Sequence, residues 1–156
     1  MYERILVALD GSENAERVLP HVEALAKAFG STVILLEVTT SPEKLMAELS
    51  PGLDVASPVL LDPTEILDEE HAAASEYLAN VAGRLRGAGL TVQTDEQPGS
   101  VADEIVQRAN DLHADLIAMT THGRTGLGRL VFGSVAESVL THATIPMLLI
   151  HAADDE

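Results

Sequence analysis

Glycine, arginine and hydroxyl residues concentrate in one stretch of this chain, Met119 to Ser134, reading MTTHGRTGLGRLVFGS. Glycines stand at 123, 126 and 128, arginines at 124 and 129, and a Gly133-Ser134 pair closes the stretch. An apolar run, Leu116 to Met119, leads in, and from Val135 the pattern VAESVLTH is helical. A strand that passes through a glycine loop into a helix start is suited to cradling phosphate. Glycine lets the backbone approach the anion, free N–H groups point at it, and the helix dipole favours negative charge there. Ser134 fits either as the N-cap of that helix or as a donor to a phosphate oxygen. The same glycines would serve an ordinary turn, so local chemistry leaves a phosphate site and a structural loop both open. The stretch has no Walker lysine, and GRTGLG lacks the glycine spacing of a dinucleotide fingerprint.

Asp10 is the second candidate. It follows the apolar run RILVAL and precedes Gly11-Ser12, at the carboxyl end of a predicted strand, where open α/β sheets bind ligands. An N-cap for the first helix would explain the same residue without a ligand. A receiver-type phosphoacceptor is set aside, because the acidic pair, the aspartate after a third strand and the late lysine of that fold are not in place. The histidines, at 21, 71, 113, 122, 142 and 151, form no i, i+4 pair and meet no cysteine, so no metal ligand is assigned. His122 fits a turn filler or a phosphate contact. Ser12, His122 and Asp10 do not have a spacing that demands a triad. No catalytic residue is assigned, and the reading is binding with at most slow hydrolysis.

The elements that must position these residues follow from periodicity. Arg4 to Leu9 and Val33 to Val38 read as strands buried on both faces. Between them Leu19, Val22, Leu25, Ala26 and Phe29 recur at helical spacing, with Gly30 as C-cap and a bend expected at Pro20. This is a right-handed βαβ unit. Thr40 to Pro63 holds prolines 42, 51, 58 and 63 and reads as a long loop or lid, with a helical turn over Glu43 to Leu49. Pro63-Thr64-Glu65 opens a long helix whose inner face is Ile66, Leu67, Ala74, Leu78, Val81 and Leu85, ended by Gly87 and Gly89. Leu90 to Thr94 alternates as an edge strand. Gly99-Ser100 caps the next helix, with Val101, Ile105 and Ala109 inward. Strand four carries the glycine loop, a helix spans Val135 to His142, and Ile145 to Ile150 is the last strand. His151 to Glu156 reads as a frayed acidic tail.

Composition sets the bounds. The 156 residues suit one domain over 1–156 with a sizeable core. Aromatics at 3% leave that core to Ala, Val, Leu and Ile. No cysteine is present, so neither disulfide nor thiol chemistry enters. A net charge of −16 repels phosphate backbones and anionic lipid, which argues against nucleic acid and membrane partners. The start of the chain has no signal-peptide pattern and no apolar run reaches the length of a membrane span, so a cytoplasmic protein is expected. An anionic ligand would need local cations, and Arg124 and Arg129 are two of only nine.

The glycine spacing resembles the nucleotide-binding branch of the universal stress proteins, which carry G-x2-G-x9-G-[S/T] after the fourth strand. Gly123, nine residues, and Gly133-Ser134 match the last two elements, and Thr120 stands where the family has its first glycine. The resemblance runs through ILVALDGS, VILLEV, HADLIAMTTHGRTGL and IPMLLI, and misses only Thr40 to about Pro63. It implies a Rossmann-like α/β fold: five mostly parallel strands in the order 3-2-1-4-5, with helices on both faces. It also implies ATP as ligand, with Mg2+ held mainly by phosphate oxygens. Asp10 and Val38 would hold the adenosine end, with backbone groups of Ala8 and Val38 edging the base. Met119 and Thr120 would line the nucleotide. Gly123, Gly133, Ser134 and the backbone of Val135 would hold the phosphates, assisted by Arg124 and flanked by Arg129. Phosphate binding would order Thr121 to Phe132 and present a changed surface to a protein partner. The last strand, Ile145 to Ile150, would pair with its counterpart in a homodimer. The alternative within the same family is a dimeric interaction module that binds no nucleotide, with Thr120 crowding the site.

Overall fold

The computed structural model describes residues 1–49, 62–122 and 133–152. Its five strands are β1 (Arg4–Leu9), β2 (Thr32–Thr39), β3 (Thr91–Pro98), β4 (Leu116–His122) and β5 (Met147–Ala152). They form one sheet in the order β3-β2-β1-β4-β5, as the family resemblance implies. Every pairing is parallel. The expected "mostly parallel" sheet is therefore wholly parallel among the described residues.

Alternation along the central strands sorts the core into two layers. Ile5, Val7 and Leu9 of β1, with Val33 and Leu35 of β2, face one side. There they pack on Val22 and Ala26 of α1 (Leu19–Phe29) and on Leu78, Val81 and Leu85 of α3 (Pro63–Gly87). Leu6, Ile34, Leu36, Ile117 and Met119 face the other side, against Ile105 and Ala109 of α4 (Val101–Asp111) and Ala136 and Val139 of α5 (Ser134–His142). The buried core is aliphatic, as composition requires. Tyr2 and Phe29 meet edge to face at 5.3 Å outside it.

Helix boundaries depart from the sequence reading in instructive places. A 3-10 turn, Ala15–Val18, precedes α1, so Pro20 falls in the first turn of the α-helix. Its missing N–H is an orphan there in any case, and the expected mid-helix bend has no cause. Gly30 ends α1 at φ +68, the left-handed conformation expected of a glycine C-cap. Asp62 caps α3 by accepting from the Thr64 amide at 2.9 Å. The predicted helical turn in the lid is an eight-residue helix, α2 (Pro42–Leu49), anchored by buried Leu45. Residues 50–61 of that lid lie outside the described residues.

Two strands extend beyond their apolar signal. β3 runs to Pro98, because backbone pairing with β2 continues from Thr32–Thr91 to Thr39–Pro98 whatever the side chains. β4 runs to His122, held by β5 as far as the His122–Ala152 pair, so Met119 and Thr120 lie within the strand rather than at its end. β5 itself starts two residues later than expected. Pro146 precedes it, and the Pro146 carbonyl accepts from the Ile117 amide at 3.0 Å. His151 and Ala152, read from sequence as frayed tail, are strand; 153–156 lie outside the described residues.

Candidate functional site

The strand order reverses between β1 and β4, and the helices that follow these strands depart to opposite faces. This leaves a crevice at the carboxyl ends. Two adjoining cavities occupy it. The smaller, about 120 Å³, is walled by Ala8, Leu9 and Asp10 of the β1 end, Ala15 of the 3-10 turn, and Leu36 and Val38 of β2. Val101 and Ile105 of α4, Met119 and Thr120 of β4, and Val135 of α5 complete it. Its lining is largely aliphatic, with Asp10 the one charged residue. The larger, about 440 Å³, is lined by Ser41, Lys44, Gly99, Ser100, Val101, Ala102, Ser134 and Val135. Val101 and Val135 belong to both.

Six residues expected to touch a nucleotide thus line one cavity: Ala8, Asp10, Val38, Met119, Thr120 and Val135. Ser134 lines the other, and Gly133 precedes it as the N-cap of α5. Ser134 is therefore the first residue of the helix and not its cap, which leaves the phosphate-donor reading of its hydroxyl in play. Gly123, Arg124 and Arg129 lie outside the described residues.

Asp10 does not cap α1. Its Oδ1 accepts the Ser12 amide at 2.9 Å, closing a turn that Gly11 allows at φ +80. Ser12 Oγ in turn accepts the Ala15 amide at 3.1 Å and starts the 3-10 turn. Neither residue is an N-cap, since Asn14 precedes the 3-10 turn and Val18 precedes α1 without side-chain cap bonds; Ser12 braces the approach, and Asp10 stands at the cavity wall. Thr120, at the family's glycine position, is 9% exposed, and its hydroxyl donates to the Ala15 carbonyl at 3.2 Å. The hydroxyl is spent on tying β4 to the 3-10 turn.

Charge is distributed unevenly around the crevice. On the α3 side of the same rim, Glu37 lies beside Gly11, and its Oε2 is buried with no hydrogen-bond partner. Burial, and after it the carboxylates of Asp10, Glu96 and Glu70, raise its pKa above the ordinary value of 4.5. Glu96 accepts from Thr39 Oγ1 at 2.5 Å and contacts His71 Nδ1. Glu70 accepts from the amide and hydroxyl of Thr40, at 2.9 and 3.1 Å. The α4–α5 side presents two helix N-termini and Lys44, with the Glu104 carboxylate beside Gly99. The gathered carboxylates repel an anionic group from the first side, and on the second the helix N-termini and Lys44 offset that one carboxylate. Among the described residues, no three His, Asp or Glu side chains group as metal ligands.

Several lining residues escaped the sequence reading, and two signals would have found most of them. Leu36 shares a strand face with Val38, and Ile105 is one helical turn beyond Val101. The second signal is a repeat: Gly99-Ser100-Val101-Ala102 and Gly133-Ser134-Val135-Ala136 are the same tetrapeptide followed by an acid. Each opens a helix onto the larger cavity. No pattern of residue types marks Lys44 or Ser41.

Comparison with known proteins agrees with this architecture. The profile of the Universal stress protein family matches residues 1–151. The chain belongs to the universal stress protein family. Universal stress protein MJ0531 of Methanocaldococcus jannaschii is 34% identical over 152 residues, covering 96% of this chain and 82% of that one. Protein MJ0577 of the same organism is 32% identical over 154 residues, covering 96% and 95%. The solved structure of MJ0577 superposes with a TM-score of 0.79 over 99% of each chain. A universal stress protein from Archaeoglobus fulgidus, solved in complex with dAMP, shares the fold at a TM-score of 0.67 and 23% identity, over 96% of this chain and 98% of that one. No described helix of this family member is long and apolar enough to cross a membrane.

Proposed function

We propose that this universal stress protein binds ATP across the two cavities, with Mg2+ held mainly by the phosphates, and acts as a dimeric stress-response sensor or switch. The observation that carries the reading is the pairing of an apolar cavity, with Asp10 on its wall, and a polar one faced by two helix starts and a lysine. A base needs the first environment and a phosphate chain the second. The A. fulgidus relative's complex with dAMP supports an adenine nucleotide as the ligand class. In this reading Ala8, Asp10, Val38, Met119 and Thr120 hold the nucleoside. Gly133, Ser134 and the backbone of Val135 hold phosphate, with Gly123 and Arg124 of the glycine loop. The homodimer would form through the free edge of the sheet over Ile145–Ile150, since β5 pairs on one side with β4 and an open edge invites a partner strand.

The first test is mass spectrometry of small molecules released by denaturing freshly purified protein, followed by titration of Gly133→Val with ATP and Mg2+. Gly133 has φ −57 and ψ 154, which valine adopts without backbone strain, and far-UV circular dichroism of the variant checks that it stays folded. A side chain at the helix start blocks close approach of a phosphate. The expected result is ATP in the wild type and none retained by the variant; equal affinity in both refutes the phosphate role. Empty wild-type protein that also fails to bind in titration would favour the nucleotide-free interaction module. A monomeric mass at micromolar concentration would refute the dimer.

A further inference from the structure

Lys44 is held more loosely than Lys27, Arg84, Arg86 and Arg108. Lys27 is paired with Glu23 at 2.5 Å, Arg84 with Glu16 at 2.5 Å and Arg108 with Asp95 at 2.6 Å. Arg86 donates to the Val92 carbonyl at 2.7 Å. The ammonium of Lys44 meets Glu48 at 3.9 Å, with both side chains 60% exposed. A pair so long and so solvated contributes little and yields readily to a better anion.

The backbone beneath that side chain is firmly held. Ser41 Oγ accepts the Lys44 amide at 3.2 Å, and the Ser41 carbonyl accepts the Leu45 amide at 3.0 Å. Leu45 is buried, and Thr40 is bonded twice to Glu70 of α3. The lysine therefore projects from an anchored helix at the wall of the larger cavity, opposite the repeated Gly-Ser-Val-Ala starts of α4 and α5. Among the described residues it is the one cation lining either cavity.

We infer that Lys44 is a specificity-determining ligand for the phosphate chain, so that the site selects nucleoside polyphosphates over the nucleoside and its monophosphate. The inference rests on the nucleotide-binding reading of the same site. Val101 and Val135 wall both cavities, so a ligand with its base in the smaller one passes them before meeting Lys44. A nucleoside ends short of the lysine, and a longer phosphate chain extends towards it. The net charge of −16 repels any polyanion at long range, which makes a single local cation count for more. The carboxylates of Glu37, Glu70 and Glu96 gather on the other side of the rim, with Asp10 at the wall of the smaller cavity, and disfavour that side for the phosphates.

The test is calorimetric titration of wild type, Lys44→Gln and Lys44→Arg with adenosine, AMP and Mg-ATP, at low and high salt. Loss of one charge-assisted contact should weaken Mg-ATP about tenfold in Lys44→Gln, leave adenosine unchanged and weaken AMP less than ATP. Lys44→Arg should recover most of the ATP affinity, and the Gln variant should show a shallower salt dependence. Equal losses for all three ligands would make Lys44 a structural residue of α2 and overturn the inference. Undiminished ATP affinity in Lys44→Gln would overturn it too, while leaving the nucleotide reading standing. Wild type that binds neither adenosine nor ATP would overturn both.

Discussion

Replacing Thr120 by valine nearly preserves side-chain volume and removes one hydrogen bond, from the hydroxyl to the Ala15 carbonyl at 3.2 Å. That bond joins β4 to the 3-10 turn across 105 positions of sequence, at a residue only 9% exposed. Water replaces little of it, so the loss should cost about 1 kcal/mol. Thr120→Gly, which restores the family's residue, removes the bond and also buried carbon worth about 0.8 kcal/mol per group. It further loosens a strand interior by roughly 0.5–1 kcal/mol, for a total of about 3 kcal/mol. In a chain of this length those costs correspond to Tm decreases of about 3 °C and 9 °C. Urea unfolding followed by far-UV circular dichroism measures the stabilities, with Thr120→Ser as the variant that keeps the bond. Calorimetric titration with Mg-ATP measures binding, which should stay within about threefold in the Val variant because the hydroxyl faces Ala15 rather than the ligand. A Val variant as stable as the wild type would refute the tie. A stable Val variant with a tenfold loss of ATP affinity would show that the hydroxyl belongs to the ligand.

Two further perturbations probe charges outside the cavities. Glu37 holds its proton more tightly in the folded than in the unfolded chain, so ionising it costs stability. The cost appears as pH rises past the ordinary carboxyl value of 4.5 and is complete above the raised one. Glu37→Gln should therefore be more stable than wild type at pH 7, with the advantage vanishing below about pH 4; a gap independent of pH would refute the assignment. Asp115 accepts the Glu3 amide at 2.7 Å and the Arg4 amide at 3.2 Å, fixing the entry of β1 beside β4. Asp115→Ala should cost about 1–2 kcal/mol in urea unfolding, and no change would mean that strand pairing alone sets this entry.

Legibility in the sequence followed the physics of each element. The central strands are buried on both faces and announce themselves as unbroken apolar runs, so RILVAL gave β1 to the residue. The long helix α3 was legible from its Pro start, glycine end and 3.6-residue period. What failed were boundaries set by partners. Asp95 to Pro98 carry no apolar signal, yet their backbone completes a ladder on β2. The 3-10 turn at Ala15 was hidden because Asp10 and Ser12 bond the Ser12 and Ala15 amides in turns ahead of it, an arrangement that residue types alone leave ambiguous.

The candidate site divides in the same manner. Ala8, Asp10, Val38, Met119, Thr120 and Val135 could be named in advance because the resemblance to the universal stress proteins carries them residue by residue, and the structure brings all six to one cavity. Lys44 and Ser41 come from another segment, and nothing in their local spacing says which rim they approach. Sequence by itself determined the fold class, the aliphatic core and the glycine-loop signature, because periodicity, composition and spacing are local properties of a chain. Only the tertiary structure decided that Thr120 gives its hydroxyl to Ala15, that Glu37 is half-buried among carboxylates, and that a lysine of α2 faces two matching helix starts. Those are distances between segments far apart in the chain, fixed by how the layers pack.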